Sequence, residues 1–198
     1  MGLEIKYIEG QTPLSEEEME GLMISSITTR GELNEFEQYN IEKAIEWTLG
    51  LKITPKQLLS EKFIKDLHKK MYKDVWKWAG VFRDSEKNIG VKSYKIVVEL
   101  KNLLDDAVYW FQNNTFSNEE FAIRFKHRLV SIHCFPNGNG RHSRLFADLI
   151  MQKLYDRSYF TWGKENLNKA NETRKNYIKA LQEADNNYFK PLIDFAKS

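Results

Sequence analysis

The sequence predicts an all-α fold, and three observations support this prediction. Through most of the chain, apolar residues recur three and four positions apart, which is the spacing of one buried helix face. Capping-box patterns, in which Ser or Thr is followed three residues later by Glu, begin at Ser15, Thr29 and Ser117 and mark helix starts. The helical period is absent from the polar segment 83–94, where Gly90 favours a β-hairpin or a loop.

The predicted helices follow one another with short breaks. The first runs from Glu16 to about Met23, and the second follows Thr29 and stops at Gly50. Thr54 followed by proline favours the start of a short third helix. Further helices are predicted over about 61–71, 96–112, 118–132, 141–157, 165–184 and 191–195.

We expect one helical domain with a short N-terminal arm. Residues 1–24 form the arm and its short helix, and residues 25–198 form the domain. A chain of 198 residues is long enough to bury one core, and no shift in composition divides it.

Charge and composition exclude several classes of function. The 30 basic and 28 acidic residues leave a net charge of +2, which gives no electrostatic case for nucleic-acid binding. Cys134 is the single cysteine, so no intrachain disulfide forms. The sequence shows neither a signal-peptide pattern nor an apolar run of membrane length, so we expect a cytoplasmic protein without membrane contact.

The stretch from His133 to Phe146 carries the chemistry. Its loop contains two glycines and leads into a helix, whose first N–H groups lack intrahelical partners and attract anions. Arg141 and Arg144 lie three positions apart, so they share a helix face and can bind the same phosphate. His133 supplies a proton acceptor at neutral pH. These features predict the transfer of a phosphorus-containing group to a hydroxyl.

Two residues inside this loop are predicted to have structural roles. Phe135 is apolar within a polar loop, so we expect it to insert into the core and fix the loop. Cys134 is expected to be a small buried thiol and not a nucleophile, because adjacent residues seldom face each other and it directly follows His133.

The stretch resembles the signature of Fic domain proteins, H-x-F-x-(D/E)-G-N-G-R-x-x-R. Asn137 replaces the acidic residue of that pattern, and the other seven fixed positions match. The segments FPNGNGRHSR and ITTRGELNEFEQ also resemble a Fic subfamily called mobile mystery protein B, and the resemblance extends roughly from Ser25 to the C-terminus. The matching positions are His133, Phe135, Gly138, Asn139, Gly140, Arg141 and Arg144.

The resemblance implies a Fic-type helical bundle with a small β-hairpin flap, and an enzyme that is a protein adenylyltransferase. Such an enzyme transfers AMP from ATP to a Ser, Thr or Tyr hydroxyl of a target protein, with His133 as the catalytic base. The residues implied to bind the nucleotide phosphates are Gly138, Asn139, Gly140, Arg141 and Arg144. Those implied to bind the target through the flap are Asn88, Ile89, Gly90 and Val91, and Tyr177 is a candidate for the adenine side.

Asn137 bears on the metal that the resemblance implies. In Fic domains the acidic residue at this position holds Mg²⁺ against the nucleotide phosphates. Asparagine offers a neutral carbonyl oxygen in place of a carboxylate, whereas Mg²⁺ prefers charged oxygen ligands. We therefore expect Mg²⁺ to bind here, with an affinity that Asn137 weakens.

An inhibitory segment is expected at residues 25–34. Some Fic proteins carry the pattern (S/T)-x-x-x-E-(G/N), whose glutamate pairs with the second arginine of the signature. Thr28 to Glu32 match this pattern, whereas Leu33 departs from it. The resemblance thus implies that Glu32 binds Arg144 and restrains the enzyme. The alternative is that Glu32 only completes the capping box with Thr29.

Two other functions stay open. One is an enzyme of the same fold that uses another nucleotide-type donor. The other is a non-catalytic nucleotide-binding regulator, to which the substitution at Asn137 would point. The partner of the favoured enzyme is a protein target, and a homodimer is among the open oligomeric states.

Overall fold

The computed structural model describes residues 14–163 and 170–198, and these residues are mainly helical. A β-bridge between Leu22 and Trp76 is the only strand-like pairing within them, so the predicted all-α class is confirmed. A short 3₁₀ turn at Ser93–Lys95 precedes the fifth helix. The helices are α1 (Glu16–Met19), α2 (Arg30–Leu49), α3 (Pro55–Leu58), α4 (Glu61–Tyr72), α5 (Ile96–Asn113), α6 (Asn118–Ile132), α7 (Asn139–Tyr155), α8 (Ala170–Asp185) and α9 (Lys190–Lys197).

Local capping explains where the helices begin. The predicted capping boxes at Ser15 and Thr29 are both formed, and each satisfies N–H groups that the first helical turn leaves without partners. The Ser117 hydroxyl accepts a hydrogen bond from the Glu120 N–H at 3.2 Å and starts α6. α2 ends one residue before Gly50, as the sequence predicts.

α1 is shorter than predicted, because the chain after it bonds to a distant segment. The Gly21 carbonyl accepts from the Lys77 N–H, and the Met23 N–H donates to the Val75 carbonyl, both at 2.9 Å. These bonds replace the helical bonds that would have extended α1 to residue 23. Residues 1–13, within the predicted arm, and 164–169, where the last long helix was predicted to start, lie outside the described residues.

The helices α6 and α7 form the centre of the fold and are joined by residues 133–138, here called the signature loop. Their apolar faces meet where Phe125 stacks on Phe146 with ring centroids 4.8 Å apart. α2 packs on α4, and α5 and α9 pack on α6. No helix within residues 14–163 and 170–198 is long and apolar enough to cross a bilayer.

The predicted β-hairpin flap is not formed over residues 83–92, which make a loop without paired strands. The backbone N–H groups at the two ends of this loop bond to the signature loop and to the end of α6, and not to each other. The Arg83 N–H donates to the Cys134 carbonyl at 2.9 Å, and the Val91 N–H donates to the Ile132 carbonyl at 3.3 Å. Because these backbone groups are already bonded, no ladder forms between the two arms of the loop. We call this segment the cover loop.

The buried guanidinium of Arg83 shapes the cover loop. Its Nε donates to the His133 carbonyl at 2.6 Å and one terminal nitrogen donates to the Ser85 carbonyl at 2.7 Å, while the other donates to the Val91 carbonyl. One side chain thus ties both arms of the loop to the signature loop. The Arg83 side chain thus supplies hydrogen bonds to backbone carbonyls that the strands of a hairpin would otherwise satisfy.

The N-terminal segment 15–24, here called the strap, fastens the cover loop to the helical body. Glu18 is buried, and its carboxylate accepts hydrogen bonds from the Ser85 hydroxyl at 2.6 Å and from the Lys87 ammonium. The Lys87 side chain is 4% exposed, so the ion pair is shielded from solvent. Trp78 Nε1 donates to the Glu18 carbonyl at 3.0 Å, which joins the strap to the body.

Lys87→Met tests the attachment of the strap to the cover loop. The substitution leaves the Glu18 carboxylate buried without an opposite charge, so we expect the free energy of unfolding in urea to fall by about 3 kcal/mol. Amides of residues 83–92 should also exchange their hydrogens faster. The matched control is Lys92→Met, because the Lys92 ammonium lies 3.8 Å from Glu86 but is 64% exposed. Equal effects of the two substitutions would contradict a buried attachment.

Candidate active site

His133 ends α6 and turns the chain into the signature loop. Its φ of 57° lies in the left-handed region, and its N–H still bonds to the Leu129 carbonyl at 3.3 Å. The residue is 4% exposed. Gly90 of the cover loop lies against it so closely that a Cβ at Gly90 would stand 2.5 Å from the His133 Cβ. The structure therefore places the predicted base at the helix end, as expected, and covers it with the loop 83–92.

The imidazole of His133 is held in its neutral form. Burial, with the nearby Arg83 charge, lowers the pKa of His133 to about 4, against the opposing effect of a hydrogen bond with the Val130 backbone. The ring is therefore unprotonated at neutral pH. An unprotonated ring is the form that can accept a proton from a hydroxyl.

The side chain of Asn139 closes the signature loop. Its Oδ1 accepts from the Phe135 N–H at 2.9 Å, and its Nδ2 donates to the Phe135 carbonyl at 2.7 Å. Asn139 is buried, so these bonds satisfy polar groups that water does not reach. Asn139 therefore shapes the loop, and the predicted contact of its side chain with phosphate would have to share or break these bonds.

His68 of α4 supports the loop from the core. The ring of Phe135 is fully buried and stacks on that of His68 with centroids 3.7 Å apart, which confirms the predicted role of Phe135. His68 Nδ1 accepts from the Gly80 N–H at 3.0 Å, so Nε2 carries the proton and donates to the Asn137 carbonyl at 3.0 Å. Burial keeps the pKa of His68 well below its usual value, which is consistent with this neutral tautomer.

The two glycines at the start of α7 have different reasons to be glycine. Gly138 has a φ of 79°, and a Cβ there would stand 2.5 Å from the ring of Tyr72. Gly140 would carry a Cβ with nothing within 4 Å, so open space adjoins the first turn of the helix. No side chain caps this N-terminus. The start of α7 is therefore open and uncapped, as an anion site requires.

Arg141 pairs with a carboxylate that the sequence analysis did not single out. Its guanidinium donates to Glu37 Oε2 at 2.6 Å, and Trp76 Nε1 donates to Glu37 Oε1 at 2.7 Å. The Glu37 side chain is 2% exposed, whereas that of Arg141 is 28% exposed. One of the two predicted phosphate-binding arginines is thus neutralised by a buried carboxylate of α2.

Glu32 does not form the expected pair with Arg144 in the part of the chain that the structure describes. Its Oε2 accepts from the Thr28 N–H at 2.8 Å, the Thr29 N–H at 3.0 Å and the Thr28 hydroxyl at 3.1 Å. These donors lie at the start of α2, where a carboxylate is favoured by unpaired N–H groups and by the helix dipole. The local capping contacts therefore prevail over the longer-range pair.

Arg144 faces an aromatic ring and a second cation. Its guanidinium carbon lies 5.6 Å from the centroid of Tyr177 on α8, and Lys126 of α6 donates to the Tyr177 hydroxyl at 2.6 Å. Lys126 is fully buried, whereas Arg144 and Tyr177 are half-buried. The structure thus brings the predicted adenine-side candidate to the second signature arginine, together with a lysine that the sequence analysis missed.

Both missed residues carried a signal in the sequence. Glu37 lies four positions from Leu33 and from Ile41, on the buried face of α2. Lys126 lies seven positions before His133, two helical turns along the same side of α6. A charged residue on an otherwise apolar helix face requires a partner, and here each partner belongs to the site or borders it.

The residues predicted to bind a target lie at the surface of the cover loop. Asn88, Ile89 and Gly90 are exposed, and Val91 is half-buried where its N–H reaches the end of α6. The structure therefore places Gly90 against His133 and Val91 at the end of α6, and all four residues are on a loop and not on a strand. An extended peptide can still form main-chain bonds with such a loop.

The described residues do not form a resident Mg²⁺ site. Asn137 Oδ1 accepts a hydrogen bond from the Gly138 N–H at 2.6 Å, so the one oxygen expected to meet the metal is already bonded. No group of three or more His, Cys, Asp or Glu side chains in these residues is arranged to hold a metal ion. A magnesium ion held by the protein alone does not fit this donor set.

The other reactive side chains near the loop are structural. Cys134 is buried, and burial raises the pKa of its thiol to about 12, as expected for a thiol that is not a nucleophile. His142 is buried, its Nε2 bonds to the Ile64 carbonyl at 3.0 Å, and burial lowers its pKa to about 3. Neither group is available for proton transfer at neutral pH.

An open depression of about 480 Å³ lies beside Arg141, on the surface of α2. Its other lining residues are polar or aromatic and include two carboxylates, Glu35 and Glu42. Arg141 therefore borders this depression as well as bonding Glu37, and its partly exposed side chain can be approached from solvent.

Comparison with known proteins agrees with the signature and the fold. Residues 58–151 match the family model described as the Fic/DOC family. The chain superposes on the N-terminal Fic domain of a VirB-translocated Bep effector protein from Bartonella quintana with a TM-score of 0.68 and 21% identity, covering 87% of this chain and 84% of that one. It superposes on Fic-1 from C. elegans with a TM-score of 0.69 and 21% identity, covering 90% of this chain and 51% of that one.

A third similar structure contains a nucleotide analogue. BepC from Bartonella tribocorum, with bound AMPPNP, has a TM-score of 0.66 and 19% identity, and the match covers 92% of this chain and 97% of that one. At these identities the similarity establishes the fold, while the narrower resemblance to mobile mystery protein B stays a prediction. Residues 58–151 of this chain, which contain the signature, thus match the Fic/DOC family model, and its helices adopt the fold of these Fic domains.

Proposed function

We propose that this protein is an adenylyltransferase that transfers AMP from ATP to a hydroxyl side chain of a target protein. The observation that carries the proposal is the position of a neutral histidine beside an uncapped helix N-terminus flanked by two arginines. His133 provides the proton acceptor, and the start of α7 provides the anion site. BepC with bound AMPPNP and a Bep effector Fic domain with bound ADP support a nucleotide as the ligand of this fold.

The proposed reaction is an in-line displacement at the α-phosphate. The hydroxyl oxygen of the target forms a bond to the α-phosphorus, and the bond between that phosphorus and the bridging oxygen to the β-phosphate breaks. The hydroxyl proton moves to His133, and pyrophosphate leaves with the electron pair. The first N–H groups of α7 and the Arg141 guanidinium stabilise the charge that develops on the phosphate oxygens. Any Mg²⁺ enters with the nucleotide and is held mainly by its phosphates.

The cover loop is the proposed contact for the target. Gly90, the last of its exposed residues Asn88 to Gly90, lies against His133, so a peptide bonded to this main chain would present a hydroxyl near the base. Whether the hydroxyl comes from Ser, Thr or Tyr depends on how far the loop lets the acceptor reach toward the imidazole.

Glu37 is the proposed restraint on the enzyme, in place of Glu32. Its buried carboxylate neutralises Arg141 before any nucleotide binds. A phosphate must compete with this carboxylate for the guanidinium, and the competition weakens nucleotide binding. The proposed inhibitory carboxylate is thus still on α2, one helical turn and one residue after Glu32.

A non-catalytic nucleotide-binding regulator is the second candidate function. The specific observations in its favour are the neutral Asn137 and the occupied Arg141, since both lower the attraction of the site for a metal–nucleotide complex. Incubation with labelled ATP and a cell lysate separates an enzyme, which labels protein, from a regulator, which does not. The same incubation with a different labelled nucleotide tests for a same-fold enzyme that uses another nucleotide-type donor.

His133→Ala tests the role of the base. Because the base acts on the acceptor while the loop holds the donor, we expect protein labelling to fall by about a thousandfold with little change in ATP affinity. The matched control is His127→Ala on the same helix, whose ring contacts Asp185 and Phe189 and not the signature loop. Full labelling by His133→Ala would rule out the proposed role, and loss of ATP binding would show that the substitution damages the loop.

Asn137→Asp tests the contact between this side chain and the metal. A carboxylate should tighten the binding of ATP in the presence of Mg²⁺ and weaken it in its absence, because the new charge attracts the metal and repels the phosphates. Calorimetry with ATP over a range of Mg²⁺ concentrations measures both effects. Asn88→Asp, on the exposed cover loop, is the control. Identical Mg²⁺ dependences before and after substitution would show that residue 137 does not reach the metal.

Glu37→Gln tests the proposed restraint. Glutamine keeps a hydrogen-bond acceptor for Trp76 but removes the charge that holds Arg141, and the loss of a charge-assisted bond is worth about 1 kcal/mol. We therefore expect ATP to bind about fivefold more tightly and labelling to rise. Glu32→Gln, on the same helix, preserves the cap and should change neither quantity. The reverse pattern would restore Glu32 as the inhibitory residue.

A further inference from the structure

Lys126 is a buried cation without a carboxylate partner in the described chain. It is 0% exposed, and its one hydrogen bond in these residues is donated to the Tyr177 hydroxyl at 2.6 Å. Burying an ammonium is costly unless an opposite charge compensates it. Burial accordingly lowers the pKa of Lys126, while Tyr177 opposes that change. The described residues therefore provide no carboxylate to balance the positive charge of Lys126 on α6.

Tyr177 lies between this cation and Arg144. The Lys126 ammonium lies 4.6 Å from the centre of its ring and the Arg144 guanidinium carbon lies 5.6 Å from it. Burial alone would raise the pKa of the Tyr177 phenol, but Lys126, Arg144 and Arg174 together hold it below its usual value. The lowered pKa of the phenol therefore indicates a positive electrostatic potential, to which residues of α6, α7 and α8 all contribute.

This group of residues is open on one side and closed on the other. Arg144, Arg174 and Tyr177 are half-buried and can meet a ligand from solvent, whereas Lys126 forms the closed side. Lys126 also lies two helical turns before His133 on the same side of α6. An anion that entered here would bind against Arg144 of α7 and supply the missing negative charge.

We propose that Lys126 and Tyr177 form a subsite that extends the phosphate site already implied by the resemblance at Arg144, and that Lys126 is a positioning residue that sets the preference for a triphosphate. The inference rests on the proposed function for the identity of the nucleotide. Lys126 holds the Tyr177 hydroxyl in place, and Tyr177 in turn fixes the plane over which the Arg144 guanidinium lies. The positive charge of Lys126 then attracts a ligand with several negative charges more strongly than one with few.

Lys126 could instead be a purely structural joint between α6 and α8. A joint would change the stability of the fold, but it would not distinguish between ligands that share a nucleoside and differ in phosphate number. The preference among ATP, ADP and AMP is therefore the quantity that separates the two roles.

The test measures binding of ATP and of AMP by calorimetry to the wild-type protein and to Lys126→Met, which removes the ammonium and keeps an unbranched apolar side chain. We expect ATP affinity to fall by about tenfold and AMP affinity to stay within about twofold, since only ATP carries the outer phosphates. Lys175→Met is the matched control, because Lys175 is exposed on α8. An equal loss for both nucleotides, or no loss for either, would overturn the assignment.

A second variant and a second ligand keep the result interpretable. Tyr177→Phe retains the ring and removes the hydroxyl that Lys126 bonds, so it should lower the preference for ATP even if Lys126→Met does not fold. Inorganic triphosphate carries the same charges without a nucleoside. If the wild type binds it with an affinity that falls in Lys126→Met, the subsite is supported even when ATP is not the donor. If the wild type binds neither ATP nor triphosphate, both the proposed function and the subsite fail.

Titration of tyrosine by ultraviolet absorbance gives a readout that ligand binding does not influence. The difference between wild type and Tyr177→Phe isolates one phenol, which we expect to ionise below the usual value of about 10. In Lys126→Met the same phenol should ionise at a higher pH, because one of the charges that favour the phenolate is gone. An unchanged titration would show that Lys126 does not act on Tyr177 in solution.

Discussion

The hydrogen bonds between Asn139 and the backbone of Phe135 are the constraint on which the rest of the site depends. A loop buried between two helices must satisfy its own polar groups, and this side chain satisfies two of them at once. His68 holds the neighbouring carbonyl of Asn137 and stacks on Phe135, so the loop is fixed from α4 as well as from α7. A loop fixed in this way would leave the start of α7 open, without a rearrangement, for the phosphate of the proposed reaction, and preorganised anion sites gain their strength in this way.

The charges around this loop are distributed unequally. Arg141 faces a buried carboxylate, whereas Arg144 faces a phenol and a buried ammonium, with no carboxylate contact among the described residues. The net attraction for an anion is therefore concentrated on the side of Arg144. A nucleotide that bound first at this side would then have to displace Glu37 from Arg141 as its α-phosphate entered. Nucleotide binding and loss of the Arg141–Glu37 pair would then be coupled.

The features that were predicted correctly from the sequence are those that local interactions determine. The starts of α1, α2 and α6 depend on side chains within three residues of each cap, and the position of His133 depends on the end of one apolar stripe. The failures involve distant residues. The hairpin was wrong because its backbone groups bond to a segment more than 40 residues away, and Glu37 was missed because its partner Arg141 lies 104 residues along the chain. Periodicity identifies a buried position, but it does not reveal which distant residue will meet it.

The cover loop controls access to His133 more than it controls the protonation of His133. A histidine with an ordinary pKa near 6.5 is already mostly neutral at neutral pH, so the lowering to about 4 adds little to the fraction of competent base. Burial also makes the imidazole a weaker base, which does not favour proton transfer. What the close approach of Gly90 does provide is exclusion of water, because the imidazole is nearly inaccessible while the loop is in place. In the proposed reaction, an acceptor hydroxyl would have to displace or share this loop. The buried pair of Glu18 and Lys87, which holds the loop to the strap, would then govern how readily a target is admitted.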